Sequence, residues 1–325
     1  MKYGYDSGAV RYIGRWGRYR EGMAATACGS QMEVAFRGRD AVLHFDPTDS
    51  LTPSHFYIQV DGGARVETVA DYTVHIRCAE DGEHVVRVML KSGGEIQNRW
   101  EFPLQCKIHF LSFEADGEGT LPPVTKKRIE LIGDSITEGI LVEADSPYPD
   151  EDDRSRPYYD DFTETYGAMI ADALGLEPLP GAYGAVGVTH GGNGGVPRAA
   201  DMYDYCFEGC PVSYEPVDYV LINHGTNDAW QEAHIQQFAA CYRELLDRIV
   251  ARNPHARIAA IIPFYGCFAD ELRALIPAYN REKGTSVLLI DTTGWLPQEP
   301  IHPLYAGHRL AAERILPTLR RAWGL

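Results

Sequence analysis

Three short polar segments hold the residue types that can activate a hydroxyl nucleophile. Ser135 follows a Gly-Asp pair, Asn227 lies in a Gly-Thr-Asn-Asp segment, and His302 lies on a proline-flanked segment near the C-terminus. A serine hydroxyl is a poor nucleophile at its ordinary pKa, so it needs an imidazole nearby to take its proton. An asparagine amide can donate to the negative charge that develops on a carbonyl oxygen during acyl transfer. The chemistry that these residue types predict is therefore acyl transfer.

Each segment also has a simpler structural interpretation. Gly133-Asp134-Ser135 fits a strand-to-helix turn in which Asp or Ser is the N-cap. Asn227 and Asp228 fit the start of the next helix, and we expect Asp228 to be the residue that caps it. His308 competes with His302 for the role of general base, but its position at the start of the last helix indicates packing or capping. The combination of segments, more than any one of them, indicates catalysis.

The elements that must position these residues alternate between strands and helices. The predicted strands are apolar runs of the buried parallel kind, at residues 128–133, 217–224, 257–263 and 286–291. The predicted helices lie between them, at residues 163–174, 233–252, 270–281 and 306–323. This order predicts a parallel sheet covered by helices on both faces. Because ligands collect at the carboxyl ends of such strands, we expect Ser135, Asn227 and His302 at one edge of the sheet.

Residues 1–122 follow a different pattern, in which short alternating apolar segments are separated by tight polar turns. The predicted strands cover residues 31–36, 41–45, 55–60, 73–78, 84–90 and 107–113. Strands at this spacing predict an antiparallel β-sandwich or jelly roll. A turn-rich linker at 116–124 follows. We therefore predict two domains, 1–122 and 126–325.

Two long connections interrupt the second predicted domain. Residues 141–162 are dense in Asp, Glu, Tyr and Pro, and residues 183–214 contain a glycine-rich run from His190 to Pro197. Connections of this length are usually functional or disordered, and a solvated acidic loop is the alternative for the first of them. The acidic run at 150–153 lacks paired histidines, so we interpret it as a solvated face and expect no metal site.

The composition excludes several classes of partner. The 325 residues carry a net charge of -16 with a pI near 5.1, which argues against nucleic acid and against an anionic membrane surface. No run of about eighteen apolar residues and no apolar signal-peptide core occurs, so we expect a cytoplasmic protein. We expect the seven cysteines to be free thiols, with a local disulfide or functional thiol at Cys206 and Cys210 as the alternative.

The three polar segments, in this order, resemble the SGNH (GDSL-type) hydrolase superfamily over about residues 126–325. Gly133-Asp134-Ser135 matches its first block, Gly225-Thr226-Asn227-Asp228 its third, and Glu299-Pro-Ile-His302 its fifth. The resemblance implies a flavodoxin-like α/β/α domain that needs no cofactor. It also implies Ser135 as nucleophile and His302 as base, with an oxyanion hole formed by the N–H of Ser135, the Asn227 amide and a glycine of the second block. We assign that glycine to Gly187, with Gly184 as the alternative.

One position departs from the family pattern. Glu299 stands where the family usually has the aspartate that orients the histidine. The additional methylene changes the reach of the carboxylate toward the second ring nitrogen of His302. We therefore hypothesise that Glu299 orients His302 but matters less than Ser135 or His302. A Ser-His dyad without a carboxylate stays open.

The N-terminal half resembles, more loosely, the β-domain of two-domain carbohydrate esterases of family two. The residues that carry this likeness are Gly14-Arg15 with the nearby Gly17-Arg18, the 32–36 strand and the Ile58–Gly62 turn. The resemblance implies removal of acetyl groups from acetylated sugars such as xylo-oligosaccharides. We assign Asp134 and Trp230 to substrate binding. The reason for Trp230 is that an aromatic face can stack on a sugar ring. Three more aromatic residues of the long connections could do the same: Tyr158, Tyr159 and Tyr183.

Two alternatives stay open at this point. A general short-chain carboxylesterase or lysophospholipase would have the same catalytic residues and differ in its preference for acyl chain length. A protein of another class, a carbohydrate-binding protein without catalysis, would have no need for Ser135, Asn227 and His302 at one sheet edge. The sequence leaves the oligomeric state open, including a homo-oligomer.

Overall fold

The N-terminal part of the protein is built from ten antiparallel strands. We describe it from a computed structural model that covers residues 1–146 and 156–325, so the acidic run at 150–153 lies outside the described residues. The strands are β1 (Lys2–Gly4), β2 (Val10–Ile13), β3 (Trp16–Tyr19), β4 (Gly22–Ala25), β5 (Gln31–Phe45), β6 (His55–Val60), β7 (Val66–Val69), β8 (Thr73–Ser92), β9 (Ile108–Ala115) and β10 (Gly119–Thr120). Every pairing among them is antiparallel, which confirms the predicted strand arrangement.

Strands β5 and β8 are longer than the sequence predicts. The glycine-containing polar segments at 37–40 and 80–82 indicate turns, so two shorter strands are expected in place of each long one. In the structure the two segments lie opposite each other, with Gly38 paired to Gly82, and the register shifts immediately afterwards. They therefore form a bulge that bends two paired strands together, and the prediction of turns at these positions is wrong.

At this bend β5 exchanges one neighbour for another. Residues before the bend pair with β2 and β10, and residues after it pair with β9. The two layers of the predicted sandwich are consequently joined in one hydrogen-bonded sheet, because the long strands run through the corner. The folded sheet encloses an apolar core that includes Met32, Val34, Leu43, Phe56, Val88 and Phe110.

The C-terminal part contains a five-stranded parallel sheet. Its strands are β11 (Arg128–Gly133), β12 (Glu177–Ala182), β15 (Tyr219–Asn223), β16 (Arg257–Ile261) and β17 (Leu288–Ile290), while β13 (Tyr205–Phe207) and β14 (Cys210–Pro211) form a separate hairpin. The order β12-β11-β15-β16-β17, with every pairing parallel, is the flavodoxin-like order. The predicted α/β class is thus confirmed.

Helices cover both faces of this sheet. They are α1 (Ser135–Glu138), α2 (Arg156–Tyr159), α3 (Tyr166–Ala173), α4 (Ala199–Met202), α5 (Glu232–Arg252), α6 (Ala269–Lys283) and α7 (Tyr305–Trp323). Alternate residues of β15 face opposite helices: Val220 and Ile222 lie in the core shared with α5 and α6, and Leu221 lies in the core shared with α3 and α7. The central strand β15 is therefore apolar from Tyr219 to Ile222, as a sheet buried on both faces favours.

Strand β12 was not predicted, because prolines occupy two of its six positions. Pro178 and Pro180 remove backbone donors and argue against a central strand. In the structure β12 is an edge strand, and among the described residues it pairs with β11 alone; a missing donor is tolerated at an edge. Strand β12 ends at Ala182, and the glycine-rich segment at 183–195 follows it directly.

A buried arginine connects the two parts of the molecule. Arg15, next to β2, reaches Glu130 of β11 at 3.1 Å, and both side chains are fully buried. Its other hydrogens are donated to backbone carbonyl groups, including that of Tyr203 at 2.9 Å. The hydroxyls of Tyr203 and Tyr214 donate to Glu130 from the other side. A buried ion pair persists when its remaining donors and acceptors are satisfied in this way.

The cysteines and the helices can be compared with what the composition predicts. All seven cysteines are free thiols, and Cys206 of β13 donates its thiol hydrogen to the carbonyl of Trp16 at 3.2 Å. Among the described residues, no helix combines the length and apolar character that crossing a membrane requires.

Candidate active site

Ser135 lies at a sharp turn between β11 and α1. Asp134 is the N-cap of α1 and accepts the Ile136 N–H at 3.0 Å, so Ser135 is the first residue of the helix. At Gly133 a Cβ atom would collide with the side chain of Thr137 and lie 2.9 Å from the Asn223 carbonyl oxygen. Glycine therefore permits the close approach that forms the turn. The N–H of the first helical residue has no acceptor within the helix, so it can bind a ligand.

His302 reaches Ser135 from the segment between β17 and α7. Its Nε2 lies 2.9 Å from the Ser135 Oγ, across 167 positions of sequence. This is the distance at which an imidazole can take the hydroxyl proton. Ser135 is 7% exposed and His302 is half-buried, so the pair is shielded but reachable. The structure brings together the two residues that the sequence assigns to nucleophile and base.

Asn227 lies at the same sheet edge. It begins a 3-10 helix (Asn227–Trp230) after β15, the neighbour of β11 in the sheet. Its Nδ2 donates to the Val186 carbonyl at 3.3 Å. A side-chain amide carries two hydrogens, so one bond to Val186 holds the amide and leaves a second hydrogen for a substrate oxygen.

Asp228 does not cap the following helix, contrary to the prediction. Helix α5 begins at Glu232 and has no side-chain cap. The buried Asp228 carboxylate instead accepts the Val188 N–H at 3.1 Å, the Thr189 N–H at 2.9 Å and the Thr189 hydroxyl at 2.6 Å. It turns toward this neighbouring segment because these donors lie in a buried turn and require an acceptor. Asp228 thereby holds residues 186–189 beside Asn227.

Gly187 and Gly184, the two glycines considered for the oxyanion hole, both donate their N–H groups to acceptors within the protein. Gly187 donates to the carbonyl of His190 at 3.1 Å, and Gly184 donates to Glu138 Oε2 at 2.6 Å. The assignment of Gly187 to the oxyanion hole is therefore not supported, and the same holds for Gly184. The segment turns back on itself through Ala185, which has a left-handed φ of 58°. The candidate oxyanion donors that stay available at this sheet edge are the Ser135 N–H and the second hydrogen of the Asn227 amide.

Asp134 supports the turn and does not face a substrate. Its side chain is fully buried, which contradicts its assignment to substrate binding. Burial raises the pKa of this carboxyl to about 7, and the negative charge of Asp228 adds to the rise while the Ile136 N–H opposes it. Its role in this structure is to cap the helix that carries Ser135.

The aromatic residues of the long connections fall into two groups. Trp230 is 56% exposed at the edge where Asn227 lies, and its ring is 5.6 Å from that of Tyr265. Tyr265 was not among the predicted residues, because its only signal in the sequence is its position shortly after β16. Tyr158 is exposed and contacts His55 edge-to-face, and Tyr159 is half-buried. Tyr183 is fully buried against Arg99, so its proposed contact with a sugar is wrong.

Glu299 and His308 differ in their surroundings. Glu299 is exposed on the segment that carries His302, and its role as the orienting carboxylate stays a prediction. His308 lies fully buried in α7, where its Nδ1 accepts the Tyr166 N–H at 3.2 Å. Burial lowers the pKa of His308 to about 3, with the nearby His302 adding to the effect. His308 therefore packs against α3, and His302 is the histidine in contact with Ser135.

No metal centre is evident in the described part of the chain, where His, Cys, Asp and Glu side chains form no group of three or more suited to hold an ion.

A serine hydrogen-bonded to a histidine, at the carboxyl edge of a parallel α/β/α sheet, is an arrangement that serine acyl hydrolases use. The sequence profile of the GDSL-like lipase/acylhydrolase family matches residues 131–310, and the chain belongs to this family. No curated protein sequence matches the chain.

Solved structures show the same two-part fold. A family two carbohydrate esterase from Clostridium thermocellum, in complex with cellohexaose, superposes with a TM-score of 0.76 at 24% identity, covering 97% of this chain and 99% of that one. An acetyl xylan esterase from Butyrivibrio proteoclasticus gives 0.78 at 18% identity, covering 100% and 99%. A salicylyl-acyltransferase from a tetracycline biosynthetic pathway gives 0.63 at 16% identity, covering 100% and 97%. At these identities the likeness shows the fold alone.

Proposed function

We propose that this protein is a serine esterase that removes acetyl groups from acetylated carbohydrates of the xylo-oligosaccharide kind. The observation that carries the proposal is the 2.9 Å contact between Ser135 Oγ and His302 Nε2 at the sheet edge. The family two carbohydrate esterases and the acetyl xylan esterase among its structural neighbours support the choice of substrate. The exposed Trp230 ring and the half-buried Tyr265 ring beside it add to that support, because aromatic faces can pack on sugar rings.

The reaction follows from the positions of these groups. His302 Nε2 takes the proton of Ser135 as its Oγ bonds to the acetyl carbonyl carbon, and the carbonyl oxygen becomes an oxyanion. The Ser135 N–H and the Asn227 amide stabilise that charge. His302 then gives the proton to the sugar oxygen as the ester bond breaks, which leaves an acetyl-enzyme and a free sugar hydroxyl.

The second half of the reaction repeats these steps with water. His302 takes a proton from water as the water oxygen bonds to the acetyl carbon of the acetyl-enzyme. The oxyanion forms again beside Asn227 and collapses, and the proton returns to Ser135 Oγ as acetate leaves. The groups that carry out both halves all belong to this chain.

The test is acetate release from acetylated xylo-oligosaccharides and from p-nitrophenyl acetate, comparing the wild type with Ser135→Ala. We expect the wild type to act on both substrates and the variant on neither. Hydrolysis of the aryl ester without release of acetate from the sugar would support the serine mechanism but refute the proposed carbohydrate substrate. Activity that survives in Ser135→Ala would refute the mechanism.

A series of p-nitrophenyl esters separates this proposal from a general carboxylesterase or lysophospholipase. We expect acetyl esters to be hydrolysed faster than butyryl and longer esters, because a deacetylase needs only a small acyl pocket. Equal or higher rates on octanoyl esters would favour the alternative. If the protein binds xylo-oligosaccharides and hydrolyses no ester, it is a carbohydrate-binding protein without catalysis.

A further inference from the structure

A second buried ion pair connects the two parts of the molecule. It lies at the end of α1, the helix that begins at Ser135. Arg99 lies in the connection between β8 and β9, and Glu138 is the last residue of α1. The Arg99 Nη1 donates to Glu138 Oε1, and the Nη2 donates to Oε2 at 3.1 Å. The two side chains are 0% and 1% exposed. Two parallel bonds between a planar guanidinium and a carboxylate define the relative orientation of both groups.

The same pair holds both ends of the segment 183–195, which we call the 183–195 loop. Glu138 Oε2 also accepts the Gly184 N–H at 2.6 Å, near the start of the loop. The backbone N–H of Arg99 donates to the Gly194 carbonyl at 3.0 Å, near its end. The Arg99 guanidinium lies 5.0 Å above the ring of Tyr183, the first residue of the loop. The loop is therefore attached to the Ser135 helix through Glu138 and Arg99.

The 183–195 loop in turn holds Asn227. Its Val186 carbonyl accepts the Asn227 amide at 3.3 Å, and its Val188 and Thr189 N–H groups bind Asp228. A chain of contacts thus runs from Arg99 through Glu138 and the loop to the Asn227 amide. A change in the position of Glu138 would move the Asn227 donor relative to Ser135.

We propose that Arg99 and Glu138 are positioning residues, which fix the oxyanion-binding amide of Asn227 relative to Ser135, so that the N-terminal part of the chain completes the active site. This inference rests on the proposed esterase activity. Oxyanion donors act only when they are preorganised, and small displacements of a donor lower the rate of acyl transfer. The pair touches neither the substrate nor the reacting atoms.

The molecule contains a matched control for this role. Glu130 is also a buried glutamate of the C-terminal part, paired with the buried Arg15 of the N-terminal part. Its further partners are the hydroxyls of Tyr203 and Tyr214, which lie outside the 183–195 loop. Loss of charge at Glu130 or at Glu138 should lower stability in a similar way, because each change leaves a buried arginine uncompensated. Of the two glutamates, Glu138 is the one that also binds the loop, through the Gly184 N–H.

The experiment compares Glu138→Gln and Arg99→Lys with Glu130→Gln. Gln at position 138 has one acceptor oxygen where Glu has two, and Lys at position 99 keeps the charge but loses the two-pronged contact. Kinetics on p-nitrophenyl acetate are expressed per active site titrated with a fluorophosphonate, so unfolded molecules do not count. We expect kcat to fall about 10- to 100-fold in both test variants, with KM within about twofold of the wild type. The apparent pKa of the pH–rate profile should not move, since His302 is unchanged.

The outcomes separate this inference from the proposed function. In Glu130→Gln we expect a lower Tm and a kcat close to that of the wild type. If the wild type is active and both test variants have the kcat of Glu130→Gln, the positioning role is refuted while the esterase stands. If one test variant does not fold, the other decides by the same criterion. If neither folds while Glu130→Gln does, the pair serves stability, which also refutes the inference. A wild type without esterase activity would refute both.

Discussion

At the scale of residues, Ser135 can act as a nucleophile because three features of its surroundings coincide. An imidazole nitrogen lies 2.9 Å from its hydroxyl, its own N–H opens the first turn of a helix, and the Asn227 amide lies at the same sheet edge. In the proposed mechanism the first feature supplies the base, and the other two supply donors for the oxyanion. Each of these residues follows an apolar strand or precedes a helix in the sequence, which is why they could be predicted.

The supporting contacts at this scale could not be predicted from the sequence. The roles of Asp228, Gly184 and Gly187 depend on the conformation of the loop after β12, including the left-handed Ala185. An aspartate before a helix indicates a cap, and nothing local shows that its carboxylate faces another segment. The burial of Tyr183 likewise follows from Arg99, which comes from a distant part of the chain.

Replacement of Asn227 by Ala tests the oxyanion donor. We expect kcat on p-nitrophenyl acetate to fall by about 10²- to 10³-fold with little change in KM, because the amide acts mainly in the transition state. Gln231→Ala is the control, since Gln231 is exposed, lies four residues away and caps no helix through its side chain. A rise in KM without a fall in kcat would contradict the assignment.

Glu299→Gln tests the orienting carboxylate. We expect kcat to fall much less than in His302→Ala, because Glu299 is exposed and the imidazole already lies within reach of Ser135. Removal of the acid's role in a full triad costs about 10⁴-fold. A loss of that size in Glu299→Gln, equal to that in His302→Ala, would show that the carboxylate is indispensable.

At the scale of elements, the positions of strands and helices were predicted best where the apolar pattern is long. Helices α5 and α7 and strand β11 agree with the prediction to within one residue at each end, because apolar runs and stop signals bound them. Strand β12 was missed because its prolines suit only an edge, and edge position depends on the whole sheet. The sequence predicts turns where β5 and β8 bend together, because glycine and charged residues occur both in turns and in bulges.

His308 links helix α7 to α3, and its titration should make their packing sensitive to acid. Its folded pKa of about 3 lies below the ordinary value of 6.5, so between these values the unfolded chain binds more protons. The stabilising effect of the neutral ring is therefore present above pH 6.5 and is lost as the pH falls toward 3. Asn at this position can keep an acceptor for the Tyr166 N–H and does not titrate.

We therefore expect His308→Asn to be less stable than the wild type at neutral pH, with a difference that narrows by about 3 kcal/mol as the pH falls to about 4. Urea denaturation at several pH values measures this. The same replacement at an exposed position, His255→Asn, is the control for the substitution itself. A constant difference for His308→Asn would mean that the folded histidine titrates normally.

At the scale of the whole molecule, the two parts are joined by charges that are withdrawn from water. Arg15 and Arg99 extend from the N-terminal part, and both are fully buried against carboxylates of the C-terminal part. A buried arginine is tolerated only with its partner in place. We therefore expect the stability of each part to depend on the other, which the sequence pattern of two separate domains did not indicate.

Arg15→Met tests this dependence. It leaves Glu130 buried without its cation, and we expect the free energy of unfolding to fall by about 3–5 kcal/mol. Arg273→Met, which breaks an exposed pair with Asp291, should leave Tm almost unchanged. Calorimetry of the wild type should show one transition. Two separate transitions, with Arg15→Met affecting neither, would mean that the parts are independent.

The central claim, that Ser135 is a nucleophile activated by His302, is tested most directly by reaction with a fluorophosphonate followed by mass spectrometry of the peptides. We predict a single adduct, on Ser135, that forms in the wild type, is absent from Ser135→Ala and forms at least about 10⁴-fold more slowly in His302→Ala. An adduct on another residue, or an equal rate of labelling in His302→Ala, would contradict the account.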